Sequence, residues 1–164
     1  MKTICLTGMM GSGKTTVAEA FAAEKKLKII DIDSIIEEKE NKKISEIFET
    51  KGEDYFRKVE QDAIFSNFQP EDAIISLGGG AFENTETRTF LLKKSKVIYL
   101  KTSPETILER IKNDNSRPLL CGKMNIESIK QILEKRESNY LSAHKTVLTD
   151  NKTPQQIVLE IEND

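Results

Sequence analysis

The sequence predicts a doubly wound α/β domain, in which helices cover both faces of a parallel sheet. Five short runs rich in β-branched residues are expected to be strands: Thr3–Thr7, Lys28–Ile32, Ala73–Leu77, Lys96–Lys101 and Lys145–Thr149. These runs are apolar on both faces rather than alternating, which is typical of a parallel sheet covered on both sides. Helical segments separate them throughout, and this alternation favours the doubly wound class. A chain of 164 residues fits one such domain.

The helical segments are expected at seven places: roughly Lys14–Glu24, Asp33–Lys39, Ile44–Phe68, Thr85–Lys93, Pro104–Asn113, Ile126–Leu141 and Pro154–Glu162. Two of them have clear start signals. Ser103 and Thr153 each place a hydroxyl at the N-cap position, and a proline follows at the first helical position. Gln156 completes a capping box with Thr153.

Composition and charge exclude several classes of protein. The net charge of −2 gives no electrostatic reason to expect nucleic acid or an anionic membrane as a partner. The apolar runs are too short for a membrane-spanning helix or a signal peptide. Cys5 and Cys121 lie far apart without metal-ligand spacing, which favours a reducing compartment. We therefore expect a cytoplasmic protein, with Cys5 in the core and Cys121 in a polar loop.

The residues Gly8–Thr15 match the phosphate-binding pattern G-x-x-x-x-G-K-[ST] in full, between a strand and a helix. Glycines let successive backbone amides point at phosphate oxygens, and the N-terminus of the following helix adds partial positive charge. Lys14 is expected to bridge the β- and γ-phosphates, and the Thr15 hydroxyl is expected to coordinate Mg²⁺. The alternative is a chance glycine turn. The full match in this context predicts that the chain binds ATP with Mg²⁺.

Two aspartates follow the second strand, at the edge of the sheet where ligands bind in this fold class. If the backbone stays extended, Asp31 and Asp33 point the same way while Ile32 turns into the core. One carboxylate could order the water shell of Mg²⁺, and the other could accept the proton of an attacking hydroxyl. The alternative is that Asp33 only caps a helix that starts at Ser34. Both interpretations can hold together.

Glycine and arginine residues suggest where an acceptor binds. The run Gly78-Gly79-Gly80 follows the third strand and indicates backbone brought close to a ligand, although a flexible loop is the alternative. Arg57 lies between Glu53 and Glu60 at helical spacing, so a surface ion-pair ladder is a sufficient explanation for it.

Arg136 is more informative, because it occupies the apolar stripe of its predicted helix after Ile132 and Leu133. A guanidinium directed inward needs an anion, unless it reaches the protein edge or pairs with an acidic neighbour in the core. The basic loop around Arg117 is punctuated by Pro118 and Gly122. It could close over the nucleotide, or it could be an ordinary connection.

Taken together, these segments resemble the shikimate kinase family over essentially the whole chain. The resemblance rests on Gly8–Thr15, Asp31-Ile32-Asp33, Gly52-Glu53 with Phe56-Arg57 and Glu60, Gly78–Gly80, Ser116–Leu120, and Arg136 with Tyr140. It implies a three-layer P-loop NTPase fold with a five-stranded parallel sheet ordered 2-3-1-4-5, as in nucleoside monophosphate kinases. It also implies a single domain over residues 1–164, with a lid loop at about 113–124 and a substrate-binding helical segment at about 33–60.

The resemblance implies that ATP phosphorylates the 3-hydroxyl of shikimate, a step of aromatic amino acid biosynthesis. The residues it assigns to catalysis are Lys14, Asp33 and Arg117. Those assigned to ATP are Gly11, Ser12, Gly13, Lys14, Thr15, Thr16, Arg110, Arg117 and Pro154. Those assigned to shikimate are Asp33, Arg57, Gly79, Gly80 and Arg136, and those assigned to Mg²⁺ are Thr15 and Asp31. ATP and shikimate are the implied partners of a monomer that binds neither nucleic acid nor membrane.

Two positions depart from the family pattern. Ser138 stands where the family often has proline, which puts the end of that helix in doubt, and Ile32 stands where Ser or Thr is frequent. Another small-molecule kinase, such as a gluconate or nucleoside monophosphate kinase, is the nearest alternative function. A nucleotide-binding module without kinase activity is a further alternative. A GTPase would need N-K-x-D, and Asn151–Pro154 has proline in place of the aspartate.

Overall fold

The computed structural model describes residues 1–112 and 125–163. In this part of the chain five parallel strands form one sheet with the order β2-β3-β1-β4-β5, which confirms the predicted fold class and strand order. The strands are β1 Ile4–Thr7, β2 Lys28–Asp31, β3 Ala73–Ser76, β4 Lys96–Lys101 and β5 Lys145–Leu148. At the centre, Ile4 of β1 is in register with Ile74 of β3 and Lys96 of β4.

The helices lie close to their predicted positions. They are α1 Lys14–Lys25, α2 Ile32–Glu40, α3 Ile44–Asn67, α4 Thr85–Lys94, α5 Pro104–Ile111, α6 Ile126–Tyr140 and α7 Pro154–Glu162. A 3₁₀ turn, Ala81–Glu83, was not predicted. Both predicted caps form: Ser103 accepts from the amide of Thr106, and Thr153 and Gln156 make the reciprocal capping box. None of the helices in the described ranges is long and apolar enough to cross a bilayer.

The sheet separates two hydrophobic clusters, as a doubly wound fold requires. Alternate residues of β1 enter different clusters: Ile4 and Leu6 pack with α1 and α7, while Cys5 packs on the opposite face with α3 and α6. The predicted core position of Cys5 is confirmed, and burial raises the pKa of its thiol to about 12. Cys121 lies outside the described residues.

The two outer strands differ from the sequence expectation. Ile29 of β2 is 40% exposed and Leu148 of β5 is 55% exposed, so the prediction of strands buried on both faces is wrong for these two. The physical reason is their place in the sheet, since an edge strand has a neighbour on one side only. The three inner strands carry most of the buried sheet residues.

Helix α3 has a kink that the sequence did not predict. Gly52 has φ 82° and ψ 171°, which interrupts the helical backbone between residues 44–51 and the remainder of α3. A Cβ atom at this position would meet nothing within 4 Å, so the backbone conformation alone favours glycine here. Glu40 on α2 accepts hydrogen bonds from Lys51 and Tyr55 on the two sides of the kink. The first part of α3 is thereby fastened to α2.

Candidate functional site

The phosphate-binding pattern forms the loop between β1 and α1. Gly13 is the N-cap of α1 with φ 89°, and it has no side chain to occupy the first helical amides. Gly8 and Gly11 lie so close to their neighbours that a Cβ atom would come within 2.6 Å of the Leu100 carbonyl and of an Ile111 methyl group, respectively. The loop can therefore present its amides to an anion, as such helix N-termini do.

The amine of Lys14 is buried over this loop. It donates to the carbonyl oxygens of Gly8 at 2.8 Å and Met9 at 2.9 Å. These bonds hold the cation beside the amides, where phosphate oxygens would lie. The structure thus places the amine of Lys14 next to the loop amides that were predicted to bind phosphate.

The predicted metal ligands meet at the ends of α1 and β2. The Thr15 hydroxyl donates to Oδ2 of Asp31 at 3.0 Å. The Ser76 hydroxyl lies 3.5 Å from the Thr15 hydroxyl. Ser76 was missed by the sequence analysis, although it is the polar member of the apolar run at the end of β3. Asp31 and Asp33 both line the adjoining cleft.

The local backbone corrects two expectations about the aspartates. Oδ1 of Asp31 accepts from the amide of Ser34 at 3.0 Å, so Asp31 is the N-cap of α2. The alternative in which Asp33 caps a helix starting at Ser34 is wrong, since Asp33 lies in the first turn. The extended path from Asp31 to Asp33 is also wrong, because the helix begins at Ile32. The predicted burial of Ile32 is confirmed.

This oxygen-lined corner is chemically suited to Mg²⁺. Within the described ranges no group of three or more His, Cys, Asp or Glu residues could hold a metal ion. Mg²⁺ does not need such a cage, because it keeps several waters and takes phosphate oxygens alongside one or two protein groups. A hydroxyl from Thr15 and a carboxylate from Asp31 fit that pattern.

Beyond Gly79, Arg57 packs against the glycine run and lines a separate cavity of about 270 Å³ together with Glu60 and Gly80. Its guanidinium donates to Glu60 at 2.8 Å and to Glu53 at 3.2 Å, so the ion-pair ladder considered from the sequence is present. A Cβ atom on Gly80 would overlap with the Arg57 guanidinium. The absence of a side chain at this glycine therefore lets the guanidinium lie against the backbone.

Glu60 is a site residue that the sequence analysis left without a role. It is 2% exposed, although it carries a carboxyl group. A Cβ atom on Gly78 would overlap with Oε2 of Glu60 and lie 3.0 Å from Oδ1 of Asp33, so both carboxylates approach this glycine. Burial raises the pKa of Glu60 and the negative charge of Asp33 adds to the shift, while Arg57 opposes it. The signal in the sequence was a glutamate on the apolar face of α3.

Arg136 is directed inward, as its place in the apolar stripe predicted. It is 8% exposed, and its Nη1 atom is buried without a hydrogen-bond partner in residues 1–112 and 125–163. Burying a guanidinium nitrogen without a hydrogen-bond partner is costly, so this nitrogen favours an incoming anion. Helix α6 continues through Ser138 to Tyr140, which answers the doubt raised by the missing proline.

Gly79 lies between the two ends of the cleft. A Cβ atom on it would be 3.2 Å from the amide nitrogen of Met10 in the phosphate-binding loop and 3.5 Å from Nη1 of Arg136. The Tyr140 hydroxyl donates to the Gly79 carbonyl at 2.5 Å. This bond holds the backbone of Gly79 in place, a role that the sequence did not predict for Tyr140. Burial raises the pKa of Tyr140 to about 12, so its hydroxyl keeps its proton at neutral pH.

Two cavities lie beside the phosphate-binding loop. A cleft of about 650 Å³ runs past the phosphate-binding loop and the two aspartates to Gly79. A smaller cavity of about 220 Å³ is lined by residues of the loop, α1, α5 and α7: Ser12, Gly13, Thr16, Val17, Arg110, Lys152, Pro154 and Ile157. Arg110 and Pro154, both assigned to ATP by the resemblance, thus lie at one cavity. Arg117 and the predicted lid at 113–124 lie outside the described residues.

Comparisons with known proteins agree with this geometry. A family model described as shikimate kinase matches residues 10–164. The shikimate kinase of Sulfurihydrogenibium sp. (strain YO3AOP1) is 46% identical over 161 residues, which cover 98% of this chain and 96% of that protein. A solved shikimate kinase from Acinetobacter baumannii, in complex with shikimate, aligns with a TM-score of 0.95 and 32% identity. That alignment covers 99% of this chain and 91% of the other.

The nearest alternative function is represented among more distant structures. A gluconokinase from Sinorhizobium meliloti aligns with a TM-score of 0.64 and 19% identity, covering 97% of this chain and 88% of that chain. At this identity the likeness concerns the fold alone. The comparisons therefore favour the shikimate kinase resemblance over the gluconate alternative.

Proposed function

The chain belongs to the shikimate kinase family, and from that premise we propose how its residues phosphorylate the 3-hydroxyl of shikimate with ATP. The observation that carries the proposal is the position of Gly79. A Cβ atom on Gly79 would lie 3.2 Å from the Met10 amide nitrogen and 3.5 Å from Nη1 of Arg136, so the phosphate-binding loop and the arginine approach the same point. A compact acceptor with a carboxylate at one end can therefore reach both the arginine and a phosphate held by the loop.

On the acceptor side, Arg57 and Arg136 bind the carboxylate of shikimate. A planar guanidinium matches a carboxylate with two parallel hydrogen bonds, and the unpaired Nη1 of Arg136 supplies a donor. Gly79 and Gly80 present their backbone to the ring beside the two arginines. Asp33 lines the cleft between this clamp and the phosphate-binding loop, and it orients the 3-hydroxyl or accepts its proton.

On the donor side, the loop amides of Gly11, Ser12 and Gly13 bind the phosphates, and Lys14 follows the charge of the γ-phosphoryl group during transfer. Catalysis then consists mainly of positioning and charge stabilisation, since phosphoryl transfer needs little covalent participation from the protein.

Thr16, Arg110 and Pro154 border the smaller cavity, which receives the adenine base. Arg117 remains a predicted catalytic and ATP-binding residue.

Thr15 and Asp31 hold the Mg²⁺ ion that accompanies ATP. When bound, this ion neutralises the charge of the β- and γ-phosphates. Asp31 has a second function as the cap of α2, the helix that carries Asp33. The Asp31 side chain thus couples the proposed Mg²⁺ site to the position of Asp33, the proposed base.

The remaining parts of the proposal concern organisation. Residues from about 33 to 60 form the substrate-binding helical segment, since α2 and α3 carry Asp33 and Arg57. The lid at about 113–124 stays a prediction. We also propose that the protein acts as a monomer. The unpaired thiol of Cys5 suits a reducing compartment, so we propose a cytoplasmic location.

A coupled assay of ADP release tests the function directly. Shikimate, gluconate and AMP are offered as separate acceptors, and Lys14→Ala serves as the control for contaminating kinases. We expect turnover with shikimate alone, and loss of that turnover in the variant. Turnover of gluconate alone would overturn the proposal. Nucleotide binding without phosphorylation of any acceptor would favour a binding module.

A further inference from the structure

Asp150 joins two parts of the chain that are distant in sequence. It follows β5, and its Oδ1 atom accepts hydrogen bonds from the hydroxyls of Ser103 and Thr106, each at 2.5 Å. Its Oδ2 atom accepts from the amide of Ser103 at 3.1 Å. The carboxylate therefore fastens the segment after β5 to the first turn of α5.

These two parts carry opposite walls of the smaller cavity. Helix α5 contributes Arg110, one turn beyond Thr106, and its guanidinium donates to the Gly11 carbonyl at 3.3 Å. The segment after β5 leads into α7 and contributes Lys152 and Pro154. Asp150 itself does not line the cavity.

Asp150 accepts these hydrogen bonds as a charged carboxylate. Partial burial alone would raise the pKa of Asp150, but the bonds from Ser103 and Thr106 outweigh it and hold the pKa below its ordinary range. The carboxylate is therefore ionised at neutral pH. Hydrogen bonds to an ionised acceptor are roughly twice as strong as neutral ones. A buried hydroxyl pair, Thr102 with Thr149 at 2.5 Å, joins the same two segments, and each threonine directly precedes Ser103 or Asp150 in the chain.

We propose that Asp150 is a positioning residue for the nucleotide, because it fixes the separation of the two walls between which the base of ATP lies. Its oxygens are taken by Ser103 and Thr106, so it acts through the walls and not by contact with the base. Stacking and van der Waals contact fall off within less than an ångström of added separation, so a looser slot weakens base binding. This inference rests on the proposed function for the identity of the nucleotide.

The test measures equilibrium binding of ADP and of inorganic tripolyphosphate to folded protein, by calorimetry and without turnover. Tripolyphosphate occupies the phosphate-binding loop but has no base. For Asp150→Ala we expect the Kd of ADP to rise about tenfold, the size expected for loss of a charged hydrogen-bond link, with little change for tripolyphosphate. Asp150→Asn keeps one carbonyl oxygen for the two hydroxyls, so it should recover much of the loss.

Two further variants keep the test decisive. Asn84→Ala removes the side-chain N-cap of α4, away from both cavities of the nucleotide, and should leave the Kd of ADP unchanged. Thr106→Val removes one donor to Asp150 with almost the same shape, and should weaken ADP binding by about threefold even if Asp150→Ala fails to fold.

The outcomes separate this inference from the proposed function. Unchanged ADP binding in the Asp150 and Thr106 variants would overturn the positioning role. An equal loss for ADP and tripolyphosphate would also overturn it, since it would indicate general damage to the loop. If wild-type protein binds ADP but does not phosphorylate shikimate, the proposed function fails while the role of Asp150 in nucleotide binding can still be decided.

Discussion

At the phosphate-binding end of the cleft, the contiguous residues Gly8–Thr15 supply a loop of backbone amides and one lysine. At the acceptor end, Asp33, Arg57, Gly79 and Arg136 come from four separate parts of the chain. The first end depends on the path of the backbone, so its function is encoded locally. The second depends on side chains that the fold brings together. The two ends should therefore respond differently to substitution.

The largest effect is expected for Lys14→Ala. The variant loses the cation held over the loop, so transition-state charge is stabilised less, and kcat should fall by about 10³-fold or more. Steady-state kinetics with saturating shikimate measure the loss, and Lys14→Arg controls for charge. A kcat within tenfold of wild type would show that the local motif does not carry the chemistry.

Arg136 should show the opposite pattern, with an effect on acceptor binding. For Arg136→Met we expect the KM for shikimate to rise by about 10–100-fold, the value of a hydrogen-bonded charge pair, while the KM for ATP stays within about twofold. The buried nitrogen without a partner also predicts that the variant gains stability in the absence of ligand, by about 1 kcal/mol.

Chemical denaturation without ligand measures that second effect. Arg88→Met is a suitable control, because Arg88 donates to the carbonyl oxygens of Phe82 and Glu83 and is structurally satisfied. It should lose stability where Arg136→Met gains it. A loss of stability in Arg136→Met with unchanged shikimate affinity would make Arg136 a structural residue.

Gly80→Ala sharpens the comparison, because it moves the Arg57 guanidinium, a proposed shikimate-binding group, without removing it. Gly80 has φ −97°, which alanine adopts easily, but the new Cβ would overlap with the Arg57 guanidinium. The side-chain end can shift at small cost to stability, so the KM for shikimate should rise by about tenfold while the fold tolerates the change.

Gly52→Ala is the matched contrast to Gly80→Ala. Its φ of 82° is unfavourable for alanine and the space around it is open, so it should lose about 1–2 kcal/mol of stability through backbone strain. Thermal unfolding and shikimate kinetics on both variants check the pair. If Gly80→Ala left the KM unchanged, the position of Arg57 would not matter to the acceptor.

The smallest effect concerns Glu60 and pH. Because burial raises the pKa of Glu60 above its unfolded value of about 4.3, the native state resists ionisation of this group. Its contribution to stability is therefore full below about pH 4.3 and falls as the pH rises through the higher native pKa. The stability difference between wild type and Glu60→Gln, measured by urea unfolding from pH 4 to 8, should shift in favour of the variant with rising pH. A flat difference would contradict the raised pKa.

The same contrast explains what could be predicted from the sequence. The loop Gly8–Thr15 was predicted with its role, since the pattern is contiguous and its chemistry lies in the backbone. Arg57 was ambiguous because its ion pairs with Glu53 and Glu60 are visible at helical spacing, whereas its contact with Gly80 depends on tertiary packing. The ion pairs and the contact with the glycine run are both present in the structure.

Other features could not be read from local pattern. Asp31 and Asp33 are both good helix caps, and the choice of Asp31 depends on where β2 ends in the sheet. The kink at Gly52 arises from one backbone conformation inside an otherwise helical sequence. The burial of Glu60 depends on the segment after β3 that covers it. In each case the outcome depends on a tertiary contact or on a backbone dihedral angle, and the periodicity of the sequence reports neither.

The central claim is that the two ends of the cleft meet at one hydroxyl group. It is tested most directly by incubating the protein with MgATP and shikimate and assigning the product by ³¹P–¹H correlation NMR. The account predicts a phosphate ester coupled to the proton on C3 of shikimate, formed in step with ADP. Release of inorganic phosphate with unmodified shikimate, or an ester at another hydroxyl, would contradict it.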